Sequence, residues 1–152
     1  MTKVTSVDQK GIDLIKGFEG WSSKPYLCSA GIPTIGYGST FYEDGTKVKM
    51  MDPSISKARG ESLLKHTLNS FEKYVDSYCI DTISQNQFNS LTSFCYNIGP
   101  NALKNSTLIK KVNVDKNDKT IRDEFMKWVR AGGKVIKGLT IRRKAEADLY
   151  FS

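Results

Sequence analysis

From Ser56 to Tyr78 the chain places Leu64, Leu68, Phe71, Val75 and Tyr78 at intervals of four and three residues. That spacing sets them on one face of a helix more than twenty residues long. Such a helix runs about 30 Å, and its apolar face must be covered by other elements of the same chain. Asp52-Pro53-Ser54 and Ser56 offer the chemistry of its start, a side-chain acceptor and a proline suited to a first turn. Ahead of it, residues 22–51 are marked by glycines, prolines and aromatics. They read as a small β-subdomain with a turn at Glu43-Asp44-Gly45.

The remainder reads as helical. Ser84 and Gln87 form a capping box, followed by Phe88, Leu91, Phe94, Cys95 and Ile98 on one face, and Gly99-Pro100 stops the helix. Shorter helices are predicted over Thr107 to Val112 and around Ile121, Phe125, Trp128 and Val129, the latter ended by Gly132-Gly133. Thr140 is placed as the cap of a last helix running to about Leu149. Near the N-terminus Val7, Gly11, Leu14, Ile15 and Phe18 share a helical face that leads to Glu19. With no repeat, linker or low-complexity tract, the 152 residues read as one α+β unit with two lobes and a cleft between them.

Composition removes several function classes. No apolar run approaches the roughly 20 residues of a membrane span. Residues 1–10 lack the apolar core of a secretory signal, so the chain is expected neither to direct its own export nor to carry a membrane anchor. Cys28, Cys79 and Cys95 show no metal-ligand spacing. Cys79 and Cys95 fall on apolar helix faces and are expected as buried, reduced thiols. The single histidine, His66, lies mid-helix, so neither a zinc site nor a Ser-His triad is supported. No metal and no cofactor is expected. The net charge of +7 draws the chain to polyanions. Its lysines are scattered rather than joined to a nucleic-acid motif, which favours an anionic wall over nucleic acid.

The chemistry gathers in the first forty residues. Glu19 closes a helix, where the negative end of the macrodipole and the neighbouring Phe18 and Trp21 all favour a protonated carboxyl. That is how a glutamic acid becomes a proton donor near neutral pH. Cys28 follows nine residues later and Thr34 six after that, in Pro33-Thr34-Ile35-Gly36-Tyr37-Gly38, which reads as a short strand.

Glu19, eight residues, Cys28, five residues and Thr34 resemble the signature of the phage-type lysozymes, glycoside hydrolase family 24. The resemblance continues through Gln87 to Leu91, Ser93 to Gly99, Asn105 to Leu108, Trp128, Gly132 to Lys134, Gly138-Leu139 and Arg142 to Glu146. It covers nearly the whole chain in the family's order. It implies a lysozyme-like, mostly helical α+β fold with a long helix connecting the β-subdomain to the helical one. It also implies an endolysin that hydrolyses the β-1,4 bond between N-acetylmuramic acid and N-acetylglucosamine. Glu19 would be the acid, with Cys28 and Thr34 across the sugar holding the attacking water, an inverting arrangement. Cys28 stands where other members carry a carboxylate, so it either acts as a base with a lowered pKa or only orients the water.

An arginine before the last helix pairs with the catalytic Glu in that family, which points to Arg143, with Arg142 beside it. Tyr96 and Asn97 match a segment lining the family's cleft, and Thr107 a substrate-contacting one. The bland readings are a core aromatic for Tyr96, a solvated helix start for the arginines and a helix cap for Ser106-Thr107. The resemblance further implies a monomer that acts on peptidoglycan and waits in the host cytoplasm until a holin lesion releases it. The alternatives are a lytic transglycosylase cutting the same bond, a wall-degrading effector adopted from a prophage, and a non-catalytic wall-binding module.

Overall fold

The long amphipathic stretch is a helix, and what precedes it is a small sheet. A computed structural model describes residues 2–152. The chain divides into two compact units, Asp13–Ser70 and residues 2–12 together with Phe71–Ser152. The boundaries fall inside helices α1 (Gln9–Glu19) and α2 (Lys57–Tyr78) rather than in loops. The β-rich lobe expected over about 20–52 therefore takes in helical turns from both sides, because a two-stranded sheet alone cannot bury a core.

In the Asp13–Ser70 unit, α1 ends at Glu19 and is followed by the antiparallel pair β1 (Ser22–Leu27) and β2 (Pro33–Gly36). Cα partners are Ser22 with Gly36, Tyr26 with Thr34 and Leu27 with Pro33, with a bulge between Ser22 and Tyr26. Pro25, which has no N–H to give a ladder, falls in that irregular stretch. Ile35, Val48 and Leu63 form one buried cluster, with Tyr42 and Ile55 against it. The Glu43-Asp44-Gly45 turn forms, Asp44 accepting from the Thr46 N–H at 2.9 Å and Gly45 adopting φ +85°. Helix α2 starts one step later than Asp52-Pro53-Ser54 suggests. Ser56 Oγ accepts from the Arg59 N–H, whereas Asp52 accepts from the Lys49 N–H and the Tyr42 hydroxyl.

The other unit is built on α3 (Gln85–Ile98) packed along α7 (Lys137–Tyr150). The capping box of α3 is present in both halves: Ser84 Oγ accepts from the Gln87 N–H, and the Gln87 side chain accepts from the Ser84 N–H. Phe88, Leu91, Phe94 and Cys95 join Leu103, Leu108, Phe125 and Tyr150 in one core. Pro100 stops α3 and opens α4 (Pro100–Lys104), where its missing N–H is harmless. Then follow α5 (Thr107–Val114) and α6 (Ile121–Phe125).

Two expectations are corrected here. Gly132-Gly133 does not end a helix: at φ 58° and 78° it turns a hairpin between β3 (Arg130–Ala131) and β4 (Lys134–Val135). Thr140 does not cap the last helix: it lies within α7, its hydroxyl bonded to the Ile136 carbonyl. Among the described residues, no helix is long and apolar enough to cross a membrane.

Candidate active site

Glu19 is the last residue of α1. Gly20 ends the helix by taking φ +74°, its N–H still bonded to the Lys16 carbonyl. Beyond it Trp21 packs on Tyr37, with ring centroids 4.9 Å apart, and the Lys16 ammonium lies 5.0 Å from the Tyr37 ring centre. Glu19 itself is half-buried.

Cys28 and Thr34 are brought together by the loop between β1 and β2. The Cys28 N–H donates to the Ile32 carbonyl at 3.1 Å and the Gly31 N–H to the Cys28 carbonyl at 2.8 Å, with Gly31 at φ +74°. This tight turn aims the backbone N–H groups of Ile32 and Ala30 at the Cys28 sulfur. Together with the Thr34 hydroxyl they hold the thiol below its ordinary pKa, the N–H groups contributing most. Thr34 has one hydroxyl hydrogen for two acceptors. Donated to the Ile32 carbonyl at 2.8 Å, it leaves only lone pairs for other neighbours, and turned to sulfur it stabilises a thiolate. Thr34 is buried and Cys28 half-buried.

Tyr26, which sequence reasoning passed over, belongs to the same group. Its Cα partner is Thr34, and it precedes Cys28 by two residues, so all three share one side of the hairpin. Burial holds its phenol above the ordinary value, and the charges of Glu19 and Cys28 push in the same direction. Both groups therefore lie within electrostatic reach of one phenol. The alternation of Tyr26 and Cys28 ahead of a paired Thr34 was the available signal.

The remaining candidates lie in the other unit. Arg143 is almost wholly buried, with 1% of its surface exposed, and is not the solvated helix residue of the bland reading. Its guanidinium donates to Glu146, to the Trp128 carbonyl and to the Asn97 side-chain oxygen, and stacks 5.0 Å from the Phe94 ring centre. Burial pulls it below the ordinary guanidinium value, and Glu146 opposes the shift. Arg142 donates to the second Glu146 oxygen and to Ser93, whose hydroxyl also donates to Glu146. This buried Arg–Glu–Arg cluster was not foreseen, although the spacing of Arg142, Arg143 and Glu146 on one helix carries it.

Asn97 and Arg143 border a cavity of about 340 Å³ that also touches Trp128, Lys127 and Arg130. Tyr96 is half-buried, edge-on to Phe71 at 5.1 Å. Thr107 is exposed at the start of α5, and the capping is done by Ser106, whose Oγ accepts from the Ile109 N–H. Cys79 and Cys95 are buried free thiols, raised by burial to about 11 and about 12. His66 is exposed on α2. Among the described residues, no three His, Cys, Asp or Glu side chains gather as a metal site would require.

Known proteins resemble this chain in sequence and in fold. A family model described as Phage lysozyme matches residues 16–146. The chain is 38% identical to the endolysin of Bacillus phage B103 over 152 residues, covering 97% of this chain but only 54% of that protein. It thus spans about half the length of that relative. The endolysin of Salmonella phage P22 is 36% identical over 96% of this chain and 98% of its own. In three dimensions the fold is similar to the endolysin from Escherichia coli O157:H7 phage FAHEc1, with a TM-score of 0.89 and 37% identity over 97% of this chain and 94% of that one. The match runs through α1, the β1–β2 hairpin and the buried α3–α7 pair alike, and on that extent the chain belongs to the phage lysozyme family.

Proposed function

We propose that this chain is an endolysin of the muramidase type. It would hydrolyse the β-1,4 bond between N-acetylmuramic acid and N-acetylglucosamine in peptidoglycan, with inversion. The observation that carries the reading is the joint setting of Cys28 and Thr34 in one turn, with Tyr26 feeling the charges of both Cys28 and Glu19.

In this reading Glu19 gives its proton to the glycosidic oxygen as the bond to the anomeric carbon breaks. One water attacks from the opposite face of the sugar. Thr34, its hydrogen on the Ile32 carbonyl, accepts one hydrogen of that water, and Cys28 accepts the other. A lone pair of the water is then left facing the anomeric carbon. As the new C–O bond forms, the water's second proton passes to the Cys28 sulfur. Cys28 thus serves as the base, its thiolate supported by the Ile32 and Ala30 N–H groups.

Asn97, Tyr96 and Thr107 are assigned to binding the glycan, and Arg143 to supplying the supporting cation. The protein acts as a monomer, stays in the host cytoplasm until a holin opens the membrane, and is drawn to the anionic wall by its +7 charge. Glu19→Gln tests the assignment. It keeps the side chain's shape but removes the transferable proton, and lysis of purified sacculi should fall by about 10²-fold or more. A variant lysing at near wild-type rate would sink the reading.

A further inference from the structure

The cavity beside Asn97 is walled by hydrogen-bond donors. Its polar side chains are those of Asn97, Lys127, Trp128, Arg130 and Arg143, with no carboxylate and no hydroxyl among them. Lysine, arginine and the tryptophan indole can only donate. An asparagine can do either, and here its neighbour decides. The Arg143 guanidinium has no acceptor, so it takes the Asn97 Oδ1, and the Asn97 Nδ2 hydrogens are left to face another partner. Arg143 is held from below by the Glu146 carboxylate and the Trp128 carbonyl. With 1% of its surface exposed, it fixes the amide rather than reaching a ligand itself.

The charges point the same way. Glu124 is shared by Lys111 and Lys127, and Glu146 by Arg142 and Arg143, so each carboxylate answers two cations. Arg130, on β3, adds a further cation, with the Gly133 carbonyl as a distant partner at 3.5 Å. Asn97, Lys127 and Arg130 are all exposed, so a ligand can reach them. A cavity of about 340 Å³ with donors only and an excess of positive charge suits a small anion. Ile98 and Leu139 complete its lining and suit the aliphatic chain that would carry one. In peptidoglycan the sugars are uncharged once the lactyl group is amidated, and the negative charge sits on carboxylates of the peptide stem.

We infer that this cavity takes a carboxylate of the stem peptide borne by N-acetylmuramic acid, bound by the Asn97 amide hydrogens and the Lys127 and Arg130 cations. In naming a wall peptide it rests on the functional reading above, and it narrows the part given there to Asn97. The consequence is selectivity: a glycan that carries stems is held at a point that a bare glycan cannot use.

The test is a titration of the protein with the tetrapeptide L-alanyl-γ-D-glutamyl-meso-diaminopimelyl-D-alanine, followed by the NMR signals of the Asn97 side-chain amide and the Trp128 indole. Saturable shifts of both signals are expected. Converting the peptide's carboxylates to primary amides should weaken binding about tenfold or more. Asn97→Asp, which keeps the shape and the pairing with Arg143 but opposes an anion, should weaken it about as much with no fall in melting temperature. Arg130→Gln should weaken it about threefold, and Lys110→Gln, an equal loss of charge on the exposed side of α5, should leave it unchanged. Equal binding of the amidated peptide, equal losses in Arg130→Gln and Lys110→Gln, or tighter binding of glycerol 3-phosphate at the same signals would overturn the inference. Digestion of purified sacculi is run alongside. If sacculi are cut and the tetrapeptide gives no saturable shift, only the carboxylate site falls; if the tetrapeptide binds there and sacculi stay whole, the functional reading falls and the site stands.

Discussion

Trp21 lays one edge of its six-membered ring against the bare Cα of Gly60, so that a β-carbon there would sit 3.0 Å from Cη2 and nearer still to Cζ3. The same ring is held from another side by Tyr37. A glycine inside α2 is otherwise a weak helix former, and here it makes room for the aromatic that stands two residues after Glu19.

Gly60→Ala should therefore destabilise the protein by about 1–3 kcal/mol, as overpacking does, despite alanine's better helix propensity. Gly17→Ala provides the opposite sign in the neighbouring helix. Beyond its chain neighbours and the backbone of its own helix, no atom lies within 4 Å of its would-be β-carbon, so it should stabilise by about 0.5–1 kcal/mol. Thermal melts of the two variants check both signs.

Glu146 is wholly buried between Arg142 and Arg143. Glu146→Gln keeps the volume but leaves two buried guanidinium groups without their counter-charge. A loss of about 3–5 kcal/mol in urea denaturation is expected. Ser93→Ala, which removes one donor to the same carboxylate, should cost less, about 1–3 kcal/mol.

Cys28 should be the thiol that reacts in the folded protein, since it is half-buried with a lowered pKa while Cys79 and Cys95 are buried and raised. Its alkylation should remove activity. Cys28→Asp should keep substantial activity and extend it to lower pH, because an aspartate stays ionised down to about 4. Cys28→Ala should lose more. A fully active Cys28→Ala would reduce the residue to a packing role beneath the hairpin.

Much of this was legible in the sequence, and the reasons differ by element. The capping box at Ser84 and the four-and-three spacing in α2 each have one structural solution, and both formed. Gly132-Gly133 has two: consecutive glycines end a helix or turn a hairpin, and strands of two residues carry no periodicity to decide between them. The start of α7 was misplaced for a similar reason. Thr140 looks like a cap, but the helix begins earlier at Lys137 with no side-chain cap at all. At the site, Cys28 and Thr34 were found as a spaced pair. Tyr26 was missed because its membership depends on strand register, which a bulge next to Pro25 shifts. The Glu146 cluster was missed because burial of two adjacent arginines goes against their usual place at the surface.

The net charge of +7 makes a prediction about encounter with the wall. Lysis should be faster at low added salt than at a few tenths molar, where screening acts within about 5–8 Å. A turbidity assay on permeabilised Gram-negative cells across that range measures it. A flat profile would mean that contacts with the glycan, and not attraction at a distance, govern the rate.

The most direct test of the account is mass spectrometry of purified sacculi digested by the protein, with the new chain ends read from the fragments. Hydrolysis by Glu19 with a water held at Cys28 and Thr34 predicts fragments ending in free, reducing N-acetylmuramic acid. Fragments one water lighter, ending in 1,6-anhydro-N-acetylmuramic acid, would mean that no water attacks at that position. Reducing ends on N-acetylglucosamine would mean that the other glycosidic bond is cut, and either product would contradict the account.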